Sequence, residues 1–403
     1  MRRAIRCLRL GVALPLGAAL IALPTTLATA QSTRLIVDGQ AGLGYSTNPF
    51  LIDGDDRGSA FSELSITPQL IQVDEKGDAA LRAFYRRTDY FNRYDSADAY
   101  GAEASARRQL SETLAGHASV GYESSILGQA SYGLVGVLDP SVPIDPGTPD
   151  IALLGLRQRQ ESITAAVGGD LRISQRDTIN AEGRAVQINY GDTGLLTSSR
   201  TTSATLGWSH AVSARTSVGL QGSGSWSDFG RQGNSGSFYQ PQVTVTHSLS
   251  ETVSVTAAVG ALFITSRTPA GTVKSTGLSG NVLACKSSQR TNACLRAYAD
   301  AQPTGFGDVS KRQGVGADYS YLVRENDVLR ASLDFSRVQE TSDLPQARNA
   351  SFITGGASYE RGFSRRLFGG VAGGYRRATG SDRGAVSDLN VKAFVRVRWG
   401  DTR

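Results

Sequence analysis

Apolar and polar residues alternate along most of this chain with a period of two. Val253, Val255, Ala257, Val259, Ala261 and Phe263 share one parity, and Thr252, Ser254, Thr256 and Ala258 fill the other. The last stretch repeats the pattern, with Val391, Ala393, Val395, Val397 and Trp399 against Lys392, Phe394, Arg396 and Arg398. Leu329, Ala331, Leu333 and Phe335 do the same against Arg330, Ser332, Asp334 and Ser336. Two-residue alternation marks a strand with one apolar and one polar face. Eighteen such stretches can be marked, at about 33–45, 60–73, 77–91, 96–109, 113–127, 158–173, 177–191, 198–211, 216–229, 236–248, 252–265, 273–286, 291–304, 309–322, 327–340, 348–361, 366–380 and 386–399. Near Ala185 the apolar set changes parity, from Ile179 and Ala181 to Val186, Ile188 and Tyr190. A bulge or a misplaced register would each explain that.

A short polar turn recurs between these stretches. Leu249-Ser250-Glu251-Thr252-Val253 has near-copies at Leu110-Ser111-Glu112-Thr113-Leu114, Val212-Ser213-Ala214-Arg215-Thr216 and Phe363-Ser364-Arg365-Arg366-Leu367. Counting related turns, the centres lie near 76, 112, 176, 214, 251, 289, 325 and 365, with a spacing of 36 to 40 residues and one gap of 64. A fixed period of this size signals a repeated supersecondary unit, here a strand hairpin. Eight short turns and both chain ends then lie on one side, and nine more variable loops on the other. An even strand number in that arrangement predicts an all-β fold, a closed antiparallel transmembrane barrel of about 18 strands (16–20). A soluble sandwich or propeller would need a core to receive so many Ala, Val, Leu and Gly faces. Aromatics near strand ends, such as Tyr122, Trp208, Phe263, Tyr321 and Trp399, suit a membrane boundary instead.

The chain start changes the picture of charge. Arg2, Arg3, Arg6 and Arg9 precede an apolar run from Leu10 to about Leu27, and Ala28-Thr29-Ala30 offers small residues for cleavage. This reads as a signal peptide over 1–30, leaving one barrel domain over 31–403. A retained anchor is the alternative, disfavoured because Pro15 and Pro24 interrupt the run. The formal charge of +6 falls to +2 once those four arginines leave, so the basic balance does not point to nucleic acid. Beyond Ala30 no stretch is apolar enough for a spanning helix, which says nothing against spanning strands. The two remaining cysteines, Cys285 and Cys294, are equally far from the centre of the 287–291 turn. A hairpin would place them opposite one another, and an oxidising periplasm would permit a bond if the facing pair is within reach.

Candidate catalysis is thin. His117, His210 and His247 fall on three different strands, and no Gly-x-Ser-x-Gly elbow or phosphate loop occurs. The polar face is richer. Its basic members are Arg82, Arg86, Arg184, Arg296, Arg330, Lys392, Arg396 and Arg398, with Arg107 and Arg172. Its acids are Glu103, Glu182, Asp318 and Asp334, with Glu123, Asp170 and Glu360. These residues suit either an ion-pair lattice that holds a polar lumen or a weakly basic pore for anionic solutes. Barrel closure should bring Arg396 and Arg398 close to Arg82 and Arg86 as one basic wall. The longest loop, about 128–157, carries four prolines and Asp139, Asp145 and Asp150. Loops this long are functional or disordered. It either folds into the mouth as a constriction or stands outward.

The first strand runs into Gly42-Leu43-Gly44-Tyr45-Ser46-Thr47-Asn48-Pro49-Phe50. A glycine-rich first strand followed by Gly-Tyr-x-x-Asn-x-Phe resembles the opening of the β-barrel porin 2 group, outer-membrane proteins associated with exopolysaccharide and capsule biosynthesis. The motif covers residues 42–50 alone. The resemblance implies an outer-membrane location, a part in exopolysaccharide export and no catalytic residues. One departure is the tail Gly400-Asp401-Thr402-Arg403 after Trp399, where many such barrels end on an aromatic.

The expectation is therefore a non-enzymatic pore of the bacterial outer membrane linked to exopolysaccharide export. The alternatives are a general diffusion porin for small, anionic solutes and a plugged structural or adhesive barrel. No cofactor and no metal is expected. The expected partners are outer-membrane lipid and lipopolysaccharide, the barrel-assembly machinery and polysaccharide export components, with no nucleic acid.

Overall fold

A strand with one apolar face needs a neighbour on each edge and an apolar surrounding on one side. The computed structural model meets both needs by closing the sheet on itself. It describes residues 32–54, 58–128, 153–191, 196–230, 234–269, 271–340, 349–380 and 383–400. The signal segment and Asp139, Asp145 and Asp150 lie outside the described residues. Among the described residues there are eighteen strands. They are β1 (Ser32–Ser46), β2 (Ser59–Asp74), β3 (Gly77–Tyr90), β4 (Ala97–Gln109), β5 (Leu114–Ile126), β6 (Arg159–Arg172), β7 (Asp177–Tyr190), β8 (Ser199–Ser213) and β9 (Thr216–Phe229). The second half is β10 (Ser235–Ser248), β11 (Val253–Thr268), β12 (Gly271–Ser287), β13 (Thr291–Pro303), β14 (Val309–Arg324), β15 (Asp327–Glu340), β16 (Ala350–Gly362), β17 (Leu367–Gly380) and β18 (Arg383–Gly400). No boundary differs from the expected one by more than three residues.

Each strand runs antiparallel to its chain neighbours, and β1 pairs with both β2 and β18. Val37 faces Trp399 and Ser46 faces Asn390 across that seam, which closes the barrel. β7 pairs with β6 and β8 without a register shift. The parity change near Ala185 is thus neither a bulge nor a slip. Val186, Ile188 and Tyr190 stay on the inner face, where Tyr190 packs against apolar loop residues.

The recurrent turn has a local cause. Its serine hydroxyl accepts backbone N–H groups that the tight reversal leaves over, as in Leu114 N to Ser111 Oγ (3.1 Å), Asp177 N to Ser174 Oγ (3.0 Å), Val253 N to Ser250 Oγ (3.1 Å) and Leu367 N to Ser364 Oγ (3.0 Å). The turn is a structural repeat. Cys285 and Cys294 occupy facing positions of β12 and β13, with Cα atoms 4.1 Å apart, and are joined by a disulfide.

The outer face is apolar and bare. Leu278 is 69% exposed, Val167 64% and Leu43 63%. Aromatic side chains rim this belt. At the end that carries the long loops, Trp226 donates to the Tyr239 hydroxyl at 3.0 Å and Tyr100 stands 6.2 Å from Tyr122. Trp208 and Trp399 mark the short-turn end, both on the outer face. Continuous exposed apolar surface between aromatic girdles is stable against hydrocarbon and unstable against water.

Candidate functional site

Because alternate residues face opposite sides, register decides which side chains line the lumen. Every basic and acidic residue assigned to the polar face from the pattern lies on the inner side. They divide into two sectors of different character.

On β3 to β7 the charges are spread and wet. Arg82 faces Glu103 across the β3–β4 ladder. Arg107 approaches Asp170 at 4.0 Å, and His117 Nε2 lies 3.4 Å from Glu182 Oε2. Arg82, Glu103, Arg107, Glu123, Arg172, Glu182 and Arg184 are all exposed although they point inward. A charged side chain can stay exposed on the inside of a barrel only if the inside holds water.

On β13 to β18, with β1 and β2, the charges are buried and paired. Arg396 is fully buried, donating to Glu360 at 2.7 and 3.0 Å and to Asp38 at 2.9 Å. Arg398 donates to the same Asp38 at 2.9 and 3.0 Å. Lys392 meets Glu63 at 2.8 Å with both side chains 4% exposed. Arg296 bridges Asp318 and Asp334, the latter at 3.1 Å, and Arg330 is buried nearby. The expected basic wall is corrected here. Asp38 and Glu63, on β1 and β2, stand between Arg396 and Arg398 on one side and Arg82 and Arg86 on the other. The seam is close to neutral because each cation carries its own carboxylate.

The mouth at the long-loop end is the part that sequence patterning did not anticipate. Arg376 on β17 faces Asp388 on β18, with side chains 9% and 0% exposed and 2.8 Å between Nη2 and Oδ2. The same guanidinium donates to the carbonyl of Gly128 at 2.9 Å and to that of Pro49 at 3.0 Å. Asp388 also accepts the Ser46 hydroxyl at 2.6 Å and the Asn48 N–H at 2.9 Å. One buried ion pair therefore holds two loops inside the barrel. The Gly42–Phe50 motif is part of that device. Asn48 exchanges hydrogen bonds with Ile52 at 2.9 and 3.0 Å, which turns the chain inward. Phe50 is then fully buried against Tyr90 and Tyr94, with the Arg157 guanidinium 4.7 Å from its ring.

Two neighbouring leucines show how far this layer reaches. Leu154 packs with Leu51 on the inner faces of β15 to β18, through Val338, Phe352, Ala378 and Val386. Leu153 packs with Leu127, Leu196 and Phe306, beside Tyr190 of β7. β7 lies across the ring from β16. The segment after the long loop's undescribed part thus crosses the mouth. Arg376 and Asp388 could have been found from sequence, since the hairpin symmetry that pairs the cysteines also pairs these two.

The histidines stand apart, each with a polar neighbour. His210 Nδ1 is 2.8 Å from Asp177 Oδ1 and His247 Nδ1 is 2.8 Å from Thr216 Oγ1. Among the described residues no three His, Cys, Asp or Glu side chains gather as a metal site.

No protein-family model matches the chain. No curated protein matches it either. Among solved structures it is similar to the FrpB iron transporter of Neisseria meningitidis (F3-3 variant), with a TM-score of 0.48 and 9% identity over 91% of this chain and 82% of that one. It is also similar to Pseudomonas aeruginosa OccK2 (OpdF) in complex with glucuronate, with a TM-score of 0.46 and 10% identity over 92% and 98%. OccK1 (OpdK) of Pseudomonas aeruginosa gives a TM-score of 0.43 and 12% identity over 92% and 98%. These values describe a shared barrel architecture and carry no argument about cargo.

Proposed function

We propose that the protein is a passive, water-filled pore of the bacterial outer membrane for small polar solutes, narrowed at its outer mouth. The apolar outer belt supports the membrane location, and eighteen strands are enough to leave an aqueous channel. The observation that carries the reading is the exposed, inward-facing charge on β3 to β7, from Arg82 to Arg184. Arg82, Arg86, Arg107, Arg172 and Arg184 share that sector with Asp78, Glu103, Glu123, Asp170 and Glu182, so selectivity between ions is weak. Exopolysaccharide export, the reading that the Gly42–Phe50 resemblance suggests, is less well supported. That motif is spent on anchoring a loop in the mouth, and a polymer would have to displace the layer around Leu153 and Leu154.

Conductance of the purified barrel in planar bilayers tests this, together with swelling of vesicles in sugars of increasing size. The expected result is steady conductance, a reversal potential near zero in a salt gradient, and entry of monosaccharides but not of long oligosaccharides. Absence of conductance would mean a plugged structural barrel. Ready passage of long oligosaccharides would restore the export reading.

A further inference from the structure

The barrel wall parts at one place. β12 is laddered to β11 from Thr268↔Gly271 to Val253↔Lys286, but to β13 only from Gly280↔Ala299 to Ser287↔Asn292. Above that rung β13 stays with β14 as far as Pro303↔Val309. The two strands separate toward the long-loop end, and Lys311 of β14 reaches across the gap to donate from Nζ to the Thr276 carbonyl at 2.7 Å. Bare strand edges are avoided at membrane depth because lipid offers their polar groups no partner. Here the ends of β13 and β14 turn inward, with Ala301 and Val309 buried against Phe229, Leu262 and Ile264, and leave a slot beside β12.

The split holds a cavity of about 480 Å³, within the range of about 300–1,000 Å³ common for small-ligand sites. Its membrane side is walled by Val259, Leu278, Val315 and Phe335 around the small Ala297 and Ala299. Leu278 and Val315 are also the last apolar outward residues before Thr276 and Gln313, so the cavity sits at the upper edge of the belt. Just above it, Arg267, Lys274 and Arg337 take outward positions. Among the described side chains no carboxylate takes an outward position there on β11 to β15. An apolar slot below a cationic rim complements a molecule with a hydrocarbon tail and an anionic head.

We infer that the split between β12 and β13 binds the acyl chain of a phosphorylated amphiphile of the outer leaflet, with its headgroup on Arg337 and Lys274. Small residues at Ala297 and Ala299 leave room for the chain, and the parted strands let it lie within the wall rather than on it. This site faces the membrane and is separate from the lumen.

The test uses lysophosphatidic acid and lysophosphatidylcholine as probes, with binding to the full barrel in detergent followed by native mass spectrometry. The expected result is one equivalent of the phosphate lipid, bound at least tenfold more tightly than the choline lipid. Ala299→Trp should lower that affinity at least tenfold. The paired change Arg337→Gln with Lys274→Gln should remove the preference for phosphate. Equal binding of the two lipids to the unchanged barrel would overturn the inference, as would unaltered binding by Ala299→Trp. If Ala299→Trp does not reach the heat-modifiable folded form, a benzophenone side chain in place of Phe335 gives a second readout. It should capture the phosphate lipid on irradiation where the same group in place of Leu206, across the barrel, does not. Equal capture at both positions would sink the proposal.

Discussion

Replacing Arg376 by methionine should loosen the outer mouth without unfolding the barrel. The guanidinium donates twice to Asp388, at 2.8 and 3.2 Å, and once each to the carbonyls of Pro49 and Gly128, at 3.0 and 2.9 Å. Both Asp388 and Arg376 are buried, so solvent screens the pair little. Removing one partner of a buried pair costs about 3–5 kcal/mol, because the other charge is left uncompensated. β17 and β18 are each laddered to two neighbours, so the cost does not fall on the strands. It falls on the segments around Pro49 and Gly128, which this side chain ties to the wall and to each other. At about 1.4 kcal/mol per decade, the ratio of opened to closed mouth should rise by roughly two to four orders of magnitude.

Single-channel recording reads this directly. The unchanged barrel should show one main conductance level, and Arg376→Met a second, larger one with long dwell times. Arg377→Met is the control, since Arg377 is the next residue, points outward and is exposed. It should leave the recording unchanged. If Arg376→Met folds and gives the same conductance histogram as the unchanged barrel, the ion pair does not hold the mouth. The cross-lumen layer would then have to rest on its leucine contacts alone.

Two further outcomes follow from the two sectors of the lumen. At about 8 Å and 0.1 M salt, one wall carboxylate shifts the local energy of a unit charge by roughly 0.25 kcal/mol. Removing two by Glu103→Gln with Glu182→Gln should therefore raise the anion-to-cation permeability ratio about fivefold, and an unmoved reversal potential would show that these side chains do not line the conducting path. Arg396→Met should cost about 3–5 kcal/mol in denaturant unfolding from vesicles, with much of the loss recovered in the double variant Arg396→Met, Glu360→Met. A single variant as stable as the unchanged barrel would show that this seam pair contributes nothing.

The fold was legible because alternation is a local property. Each strand carries its own two-residue record, and most of the short turns carry a serine whose hydroxyl accepts the N–H groups of the reversal, so eighteen strands could be placed to within three residues of their ends. The same record fixes which side chains face inward, which is why no lumen residue changed sides. It does not contain distance across the ring. Arg396 and Asp38 are separated by almost the whole chain, and only the closure register of β1 on β18 brings them to 2.9 Å. Net charge on a face was readable, but its neutralisation was not.

The mouth was hidden for a different reason. Its residues obey no period. Phe50, Leu51, Leu153, Leu154 and Phe306 are apolar positions in loops, where an apolar residue has no preferred side until something covers it. The parity change near Ala185 was a visible trace. Val186, Ile188 and Tyr190 turn apolar on the face that should be polar, and within that cluster Tyr190 packs against Leu153 and its neighbours. An alternating strand whose inner face becomes apolar over its last turns is reporting a loop folded against it. By the same logic Phe229, Phe238, Leu262 and Ile264, apolar on the inner faces of β9 to β11, report the inward segment Thr304–Val309, which Ser266 ties down through Asp308 at 2.6 Å. Where the lumen face of a barrel strand loses its polarity, a loop has taken the place of water against it.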